Sequence, residues 1–181
     1  MRLYSHSAKE WKTTTMAREI LLNTGNAAIV DDEDYELVSR YNWTESDKGY
    51  AITSIKINGK WKTVPMHRLI NNTPAGMLTD HIDGDRLNNR RENLRTCEAK
   101  QNMQNMKIFK SNKSGYKGVS VKKNISKQGN EYLYWMAQIK LDLDKPYKLF
   151  PYTEEGKLQA ARWYDEQARL HFGEFAKVNG V

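Results

Sequence analysis

The 181-residue chain has only one cysteine, Cys97, and it has no long apolar run. One cysteine excludes an internal disulfide and every zinc site that needs paired cysteines. No stretch is long and apolar enough to span a membrane, and the first residues lack a signal-peptide core. We therefore expect a cytoplasmic protein without zinc or a membrane partner, in which Cys97 is a small packing residue.

Apolar residues are also scarce, since they make up 39% of the chain and the mean hydropathy is −0.83. This composition favours several small modules over one large core. The net charge of +7 is unevenly distributed: residues 1–106 carry 15 Lys and Arg against 14 Asp and Glu, whereas residues 107–181 carry 14 against 8. The basic excess of the last third predicts a polyanionic partner.

Turn and capping signals predict an α+β protein made of small modules. Residues 1–15 show no period and are predicted to be a flexible leader. Residues 16–65 are predicted to be a β-rich module, with strands at 18–22 and 27–30 and a hairpin around Asn58-Gly59. Between them, a helix is predicted to begin at an N-cap formed by Asp31 or Asp32 and to run through Arg40. Residues 66–106 follow as a separate ββα motif, which opens with a helical turn that Pro74 closes.

The stretch GMLTDHIDGDRLNNRRENLRTCEAKQNMQNM, residues 76–106, carries the residues with chemical potential. His81 is our candidate base, because imidazole has its unperturbed pKa near neutrality. Asp80 and the amide oxygen of Asn102 are candidate ligands for a hard cation, which takes a few oxygen donors and keeps several waters. Neighbouring residues of a regular strand point to opposite faces. We therefore expect Asp80 and His81 at the frayed end of a strand, before the Asp83-Gly84 turn.

Several assignments in this stretch remain open. Gln101 or Asn105 could take the place of Asn102, and His67 competes with His81 as the base. Met103 and Met106 share helical spacing with Ala99, which predicts the buried side of a helix.

Basic residues surround the stretch and continue beyond it. Arginine matches phosphate in a bidentate fork, so at least one arginine here is expected to touch a phosphate of the polyanionic partner. The others are expected to solvate the loop or to pair with Glu92 and Glu98. The candidates are Arg90, Arg91 and Arg95, together with Arg86. From Lys107 to Lys127 there are seven lysines and no acidic residue. This composition is typical of a chain that lies on phosphate, and residues 107–115 are predicted to be a basic linker.

The pattern DHIDGDRLNN…NLR…QN resembles the HNH (His-Me finger) nucleases, especially the branch of often phage-encoded homing endonucleases, in which the last motif position is Asn. The resemblance implies a ββα-metal motif that binds Mg²⁺ (or Mn²⁺) through Asp80 and Asn102, with His81 as general base. It implies that Asn93 pins the loop and orients the base. It also implies double-stranded DNA as partner, products with a 5′-phosphate and a 3′-hydroxyl, and host cytoplasm if a phage encodes the chain.

Residues 116–181 predict a three-stranded antiparallel sheet packed on one helix, the helix being residues 154–172 with Leu158, Ala161 and Leu170 among its apolar positions. The segments GYKGV, YWMAQIK, AARWYDEQA and FGEFAKVN resemble the APETALA-type (ethylene-response-factor-like) DNA-binding domain. The resemblance implies that the sheet enters the major groove while the helix braces its back. The residues expected to face DNA are Lys117, Ser120, Lys122, Trp135, Lys140 and Lys148. Trp135 fits the core equally well, and lysine in place of arginine predicts looser reading of guanine.

Three functions are compatible with these features. The first is a site-specific homing-type endonuclease, a monomer or weak dimer that nicks one strand because each chain has one site. The second is a DNA-binding regulator that keeps an inactive HNH scaffold. The third is a nonspecific nuclease, which the dedicated DNA-reading domain disfavours.

Overall fold

A computed structural model describes residues 16–181 of the chain, which form two compact units. The first unit runs to Asn72 and also includes Asp85–Arg95, and the second comprises Thr73–Gly84 and Thr96–Val181. The leader predicted for residues 1–15 lies outside the described residues. Within residues 16–181, no helix is long and apolar enough to cross a membrane.

The first unit opens with the predicted hairpin and helix. The elements are β1 (Ala17–Leu21), β2 (Ala27–Asp31) and α1 (Asp32–Val38). β1 and β2 pair antiparallel, and Gly25 adopts a φ of 87° in the turn that joins them. The first turn of α1 is acidic, which suits the positive end of the helix dipole. α1 ends at Val38, two residues before the predicted end at Arg40.

A three-stranded antiparallel sheet follows in the order β3-β4-β5. Its strands are β3 (Thr44–Glu45), β4 (Ala51–Ile57) and β5 (Lys60–Pro65). The hairpin predicted at Asn58-Gly59 is confirmed, because Ile57 lies opposite Lys60 and the two turn residues have φ values of 50° and 76°. Positive φ at both central residues is the signature of a type I′ turn. β3 was not predicted, since two residues carry no readable period.

The core of the first unit is small and apolar. The helix α2 (Met66–Asn71) contributes Met66 and Ile70 to it, and the loop that precedes Leu94 belongs to the same unit. The buried residues are Ile20, Leu22, Ala28, Val30, Val38, Trp43, Ala51, Met66, Ile70 and Leu94.

The second unit contains part of the predicted ββα motif, namely β6 (Leu78–His81) and α3 (Ala99–Gln104). β6 pairs with β7 (Leu94–Cys97), of which only the last two residues belong to this unit. The prediction that Met103 and Met106 lie on a buried side is wrong, because they are 63% and 43% exposed. Apolar spacing shows that a helix has an apolar side, but not that another element covers it. α3 has only six residues, and none of them is buried.

The remainder of the second unit is a sheet on a helix, as predicted. The elements are β8 (Val119–Ile125), β9 (Glu131–Gln138), β10 (Tyr147–Pro151) and α4 (Glu154–Phe172). The antiparallel order is β10-β9-β8, and Thr153 caps α4 by accepting a hydrogen bond from the Gly156 N–H at 3.0 Å. Side chains of sheet and helix form one core of Val119, Trp135, Ala137, Ile139, Phe150, Ala160, Ala161, Tyr164 and Ala168.

The α+β fold class predicted from the sequence is therefore confirmed, with one error in the face of α4. Leu170 was expected among the apolar positions, but it is 73% exposed. It follows the buried Ala168 by two residues, which places it about 200° around the helix.

Candidate functional site

Asp80 and His81 are the last two residues of β6, the strand end predicted for them. Both are buried, with 4% of each residue exposed. The chain then turns sharply, and the Gly84 N–H donates to the His81 carbonyl at 2.9 Å. Gly84 has a φ of 74°, so the Asp83-Gly84 turn signal identified the place where the strand stops.

The carboxylate of Asp80 is held by an asparagine at the end of α3. The Asn105 side-chain nitrogen donates to the Asp80 Oδ1 and Oδ2 at 3.1 and 3.0 Å, and it lies 2.9 Å from the His81 carbonyl oxygen. All of these partners are acceptors, so the amide nitrogen and not the oxygen must face them. Asn105 is itself buried, with 7% exposed. One amide therefore fixes both the carboxylate and the backbone of the Asp80-His81 step.

The three amide side chains that the sequence could not separate occupy different environments. The Gln101 side-chain oxygen accepts the Glu98 N–H at 2.8 Å, which is part of a capping box at the start of α3. The Asn105 side-chain nitrogen is hydrogen-bonded to Asp80. Asn102 lies in the second half of α3 and is partly exposed, and among residues 16–181 its side chain makes no hydrogen bond. Of the three side chains, that of Asn102 is thus the one that no hydrogen bond fixes among the described residues.

The donor set fits a hard divalent cation. A carboxylate oxygen that accepts one hydrogen bond keeps lone pairs for a second partner. The hydrogen bonds from Asn105 therefore leave Asp80 able to bind a metal. Carboxylate and amide oxygens are the ligands that Mg²⁺ and Mn²⁺ prefer. Within residues 16–181 no three His, Cys, Asp or Glu side chains form a cluster. Any site here is therefore built on few protein ligands, as Mg²⁺ sites often are.

Asn93 lies in the first unit, at the end of the 3-10 turn Arg91–Asn93, and 6% of it is exposed. Its side-chain nitrogen donates to the Asn88 carbonyl at 2.8 Å. The same loop is fastened to β2, because the Asn89 N–H donates to the Ile29 carbonyl at 2.7 Å. Asn93 therefore holds its own loop closed. Pinning the loop is one of the two roles that the resemblance implies for Asn93, the other being to orient the base.

His67, the competing candidate for the base, is packed among aromatic and cationic groups of the first unit. It is buried, and its ring meets that of Tyr50 edge to face with centroids 5.0 Å apart. The Arg86 guanidinium lies 4.8 Å from the centre of the Tyr50 ring. These contacts favour a packing role for His67.

Two of the arginines expected to touch DNA form ion pairs with the acidic residues around the start of α1. The Arg90 Nε lies 2.9 Å from the Asp31 Oδ1. Arg91 forms a bidentate pair with Asp34, in which its Nε and Nη2 donate to the two carboxylate oxygens at 2.8 and 2.7 Å. Hydrogen bonding to these buried carboxylates raises the pKa of both guanidiniums. Arg90 also pairs with Glu92 at 2.8 Å, as foreseen. Arg95 is partly buried.

The register of the β8-β9-β10 sheet assigns the expected DNA contacts to two faces. Ser120 and Lys122 are exposed on the face away from α4, because their neighbours Val119, Trp135 and Ala137 point into the core. Trp135 is a core residue, 7% exposed, and its Nε1 donates to the Thr153 carbonyl at 3.0 Å.

Lys148 lies opposite Ala137 and so occupies the α4-facing side, contrary to expectation, with its ammonium 5.5 Å from the centre of the Phe150 ring. Lys140 is exposed just beyond β9. The sequence reasoning missed the tyrosines of the face away from α4, which are Tyr132, Tyr134 and Tyr147. Strict alternation along the strands was the signal that could have identified them.

Lys117 also departs from the expected orientation. Its ammonium donates to the Gln104 and Met106 carbonyls at 2.6 and 2.7 Å, so it points at the end of α3. Burial, followed by repulsion from Lys177, lowers its pKa to about 8, and the charged form still predominates at neutral pH.

Comparisons with known proteins agree with the motif. The family described as HNH endonuclease matches residues 72–104. The chain is 32% identical over 163 residues to the "Uncharacterized HNH endonuclease L560" of Acanthamoeba polyphaga mimivirus, covering 87% of this chain and 76% of that protein. It is 35% identical over 105 residues to "Protein 3.8" of Escherichia phage T7, covering 58% and 77% of the two chains. A solved structure titled "DNA binding and cleavage by the HNH homing endonuclease I-HmuI" is 24% identical, with a TM-score of 0.34 and coverage of 64% and 67%.

The hydrogen bonds of Asn105 predict a measurable difference between two neighbouring asparagines. Replacing Asn105 by Ala leaves the buried Asp80 carboxylate without its amide donor, so we expect a loss of about 1–3 kcal/mol in the free energy of unfolding. The matched variant Asn102→Ala removes no hydrogen bond within the described residues and should stay within about 0.5 kcal/mol. Urea unfolding in the presence of a chelator measures both, and equal losses would contradict the assignment.

Proposed function

The chain belongs to the HNH endonuclease family, and we propose that it is a site-specific DNA endonuclease of the homing type that nicks one strand of a duplex. The observation that carries the proposal is the buried Asp80-His81 step, held by Asn105 at the end of the helix that also carries Asn102. A regulator with a decayed nuclease scaffold would have no need of this arrangement. One such step in the chain supports nicking, and a double-strand break would require two chains or two events.

The proposed reaction is hydrolysis of a phosphodiester. His81 takes a proton from the attacking water as the water oxygen bonds to phosphorus and the bond from phosphorus to the 3′ oxygen breaks. The departing 3′ oxygen takes a proton from a solvent water, so the products carry a 3′-hydroxyl and a 5′-phosphate. The short turn after β6 fixes the His81 carbonyl, and therefore the place from which the imidazole projects. The Asn93 amide keeps its loop closed on Asn88, and its role in orienting the base stays a prediction from the resemblance.

Asp80 and Asn102 would hold the divalent ion, Mg²⁺ or Mn²⁺. Bound there, the ion would neutralise charge that builds up on the phosphate and the leaving oxygen. The contribution of Asn105 is separate, because its nitrogen faces Asp80 as a donor and cannot serve as a ligand in that orientation.

DNA recognition is proposed for the face of the β8-β9-β10 sheet that lies away from α4, in keeping with the APETALA-type resemblance. This face carries Lys122 as a phosphate contact and three tyrosines. Lysine provides a point charge with little base selectivity, so affinity here should come mostly from the backbone of the DNA. The lysine-rich segment from Lys107 adds charge without acidic neighbours.

The function can be tested by mapping every new DNA end. The protein and its His81→Ala variant are incubated with a pool of genomic fragments, with Mg²⁺ or with a chelator, and all new 3′ ends are sequenced. We expect ends in one strand at one short motif, present only with metal and lost in His81→Ala, which should still bind DNA. His171→Ala is the matched control, because this exposed histidine at the end of α4 should be dispensable.

The other outcomes separate the remaining functions. Scattered ends would identify a nonspecific nuclease, and binding without any new end would support a regulator. Cleavage by His81→Ala at the parental rate would refute the assigned base and turn attention to His67.

The two faces of the sheet predict different effects of two exposed lysines. Lys122→Ala should weaken DNA binding and lower the slope of log K against log salt by about one, since one phosphate contact is lost. Lys148→Ala removes the same charge from the face toward α4 and should leave the slope nearly unchanged. Filter binding across a salt series measures both variants, and a larger effect of Lys148→Ala would reverse the proposed DNA face.

A further inference from the structure

α3 has little apolar packing to fix its position. The helix is six residues long, has no buried residue, and exposes Met103. Its first turn is capped through Glu98 and Gln101, but a helix end also leaves up to four carbonyls without intrahelical partners. Whatever holds those carbonyls determines where the last residues of α3 lie.

The C-terminal end of α3, Gln104–Met106, is held by one lysine from outside the helix. The Lys117 ammonium donates hydrogen bonds to the Gln104 carbonyl at 2.6 Å and to the Met106 carbonyl at 2.7 Å. A cation is the favourable group at this end of a helix. The two carbonyls flank Asn105, the residue whose amide faces Asp80.

Lys117 is itself anchored in the sheet-and-helix part of the second unit. Its N–H donates to the Asn179 Oδ1 at 2.7 Å, and its carbonyl accepts from the Asn179 side-chain nitrogen at 3.2 Å. Asn179 in turn donates to the buried Asp165 of α4 at 2.8 Å. The backbone of Lys117 is therefore fixed on α4, while its side chain reaches α3.

We propose that Lys117 is a positioning residue, which sets Asn105 against Asp80 by holding the C-terminal end of α3, and that it is not a DNA contact. The inference rests on the proposed nuclease function for its effect on cleavage. The DNA-reading part and the Asp80-His81 step are thereby connected through one side chain. A phosphate contact would require the ammonium to leave the two carbonyls that it now donates to.

The test compares Lys117→Met with Lys145→Met in the full-length protein. Lys145 is an exposed lysine of the same unit and is not among the expected DNA contacts, so its variant controls for the loss of charge. Hydrogen exchange is measured first, without DNA or metal. Lys117→Met should speed exchange of the Asn105 and Met106 amides, which donate to Gln101 and Met103 at the helix end, and Lys145→Met should leave them unchanged.

Single-turnover nicking and DNA binding are then measured across a Mg²⁺ series. Lys117→Met should lower the maximal cleavage rate about tenfold or more, because misplacement of reacting groups has effects of this size. Its DNA affinity and salt slope should match the parent, and Lys117→Arg should restore part of the rate, since the guanidinium can also donate to two carbonyls.

The outcomes distinguish the two proposals. Faster exchange in Lys117→Met together with an inactive parent protein supports the role of Lys117 and refutes the nuclease function. Parental exchange and a parental rate in Lys117→Met refute the positioning role while the nuclease stands. A reduced salt slope with an unchanged cleavage rate at saturating DNA would make Lys117 a phosphate contact and also overturn the inference.

Discussion

The hydrogen bonds from Asn105 to Asp80 are the interaction on which the proposed site depends. They join a strand of four residues to a helix of six, neither of which has enough apolar surface to fix its own position. A buried carboxylate must be hydrogen-bonded or paired, and here one neutral amide satisfies that requirement while leaving lone pairs for a metal. A lysine or arginine in the same place would neutralise Asp80 and weaken its attraction for a cation. The choice of an amide is therefore consistent with a metal ligand.

Charge is used differently in the two units. In the first, the acidic residues around the start of α1 pair with Arg90 and Arg91, so these arginines fasten a loop. In the second, most lysines of the β8-β9-β10 sheet remain exposed, while Lys117 points inward at helix carbonyls. The basic excess of the last third thus contains both surface charges that fit phosphate and one charge that fixes structure. Net charge alone could not tell these roles apart.

The sequence predicted those features that depend on local pattern. The bounds of α4 were predicted in full, because apolar residues recur at helical spacing over its whole length. The Asn58-Gly59 hairpin and the place of Asp80 and His81 at a strand end followed from turn residues. Features that depend on distant contacts were not predictable in this way. Arg91 and Asp34 are 57 residues apart, and no local signal connects them.

The roles of Asn102 and Asn105 at the site itself could not be told apart from the local sequence pattern either. Both lie at the end of a short polar helix, and either one could have faced Asp80. Only the three-dimensional contact between the end of α3 and β6 shows that Asn105 does so. Likewise, the face of Lys148 follows from the register of β10 on β9, which the strand pattern alone leaves open.

The central claim is that Asp80 is a metal ligand which Asn105 positions and Asn102 assists. The most direct test is a crystal structure of the protein with a DNA duplex and Mn²⁺, with data collected for the anomalous signal of the metal. The account predicts one anomalous peak bonded to the Asp80 carboxylate and the Asn102 amide oxygen, with the Asn105 nitrogen still donating to Asp80. A peak bonded to Asn105, or one located away from Asp80, would contradict it.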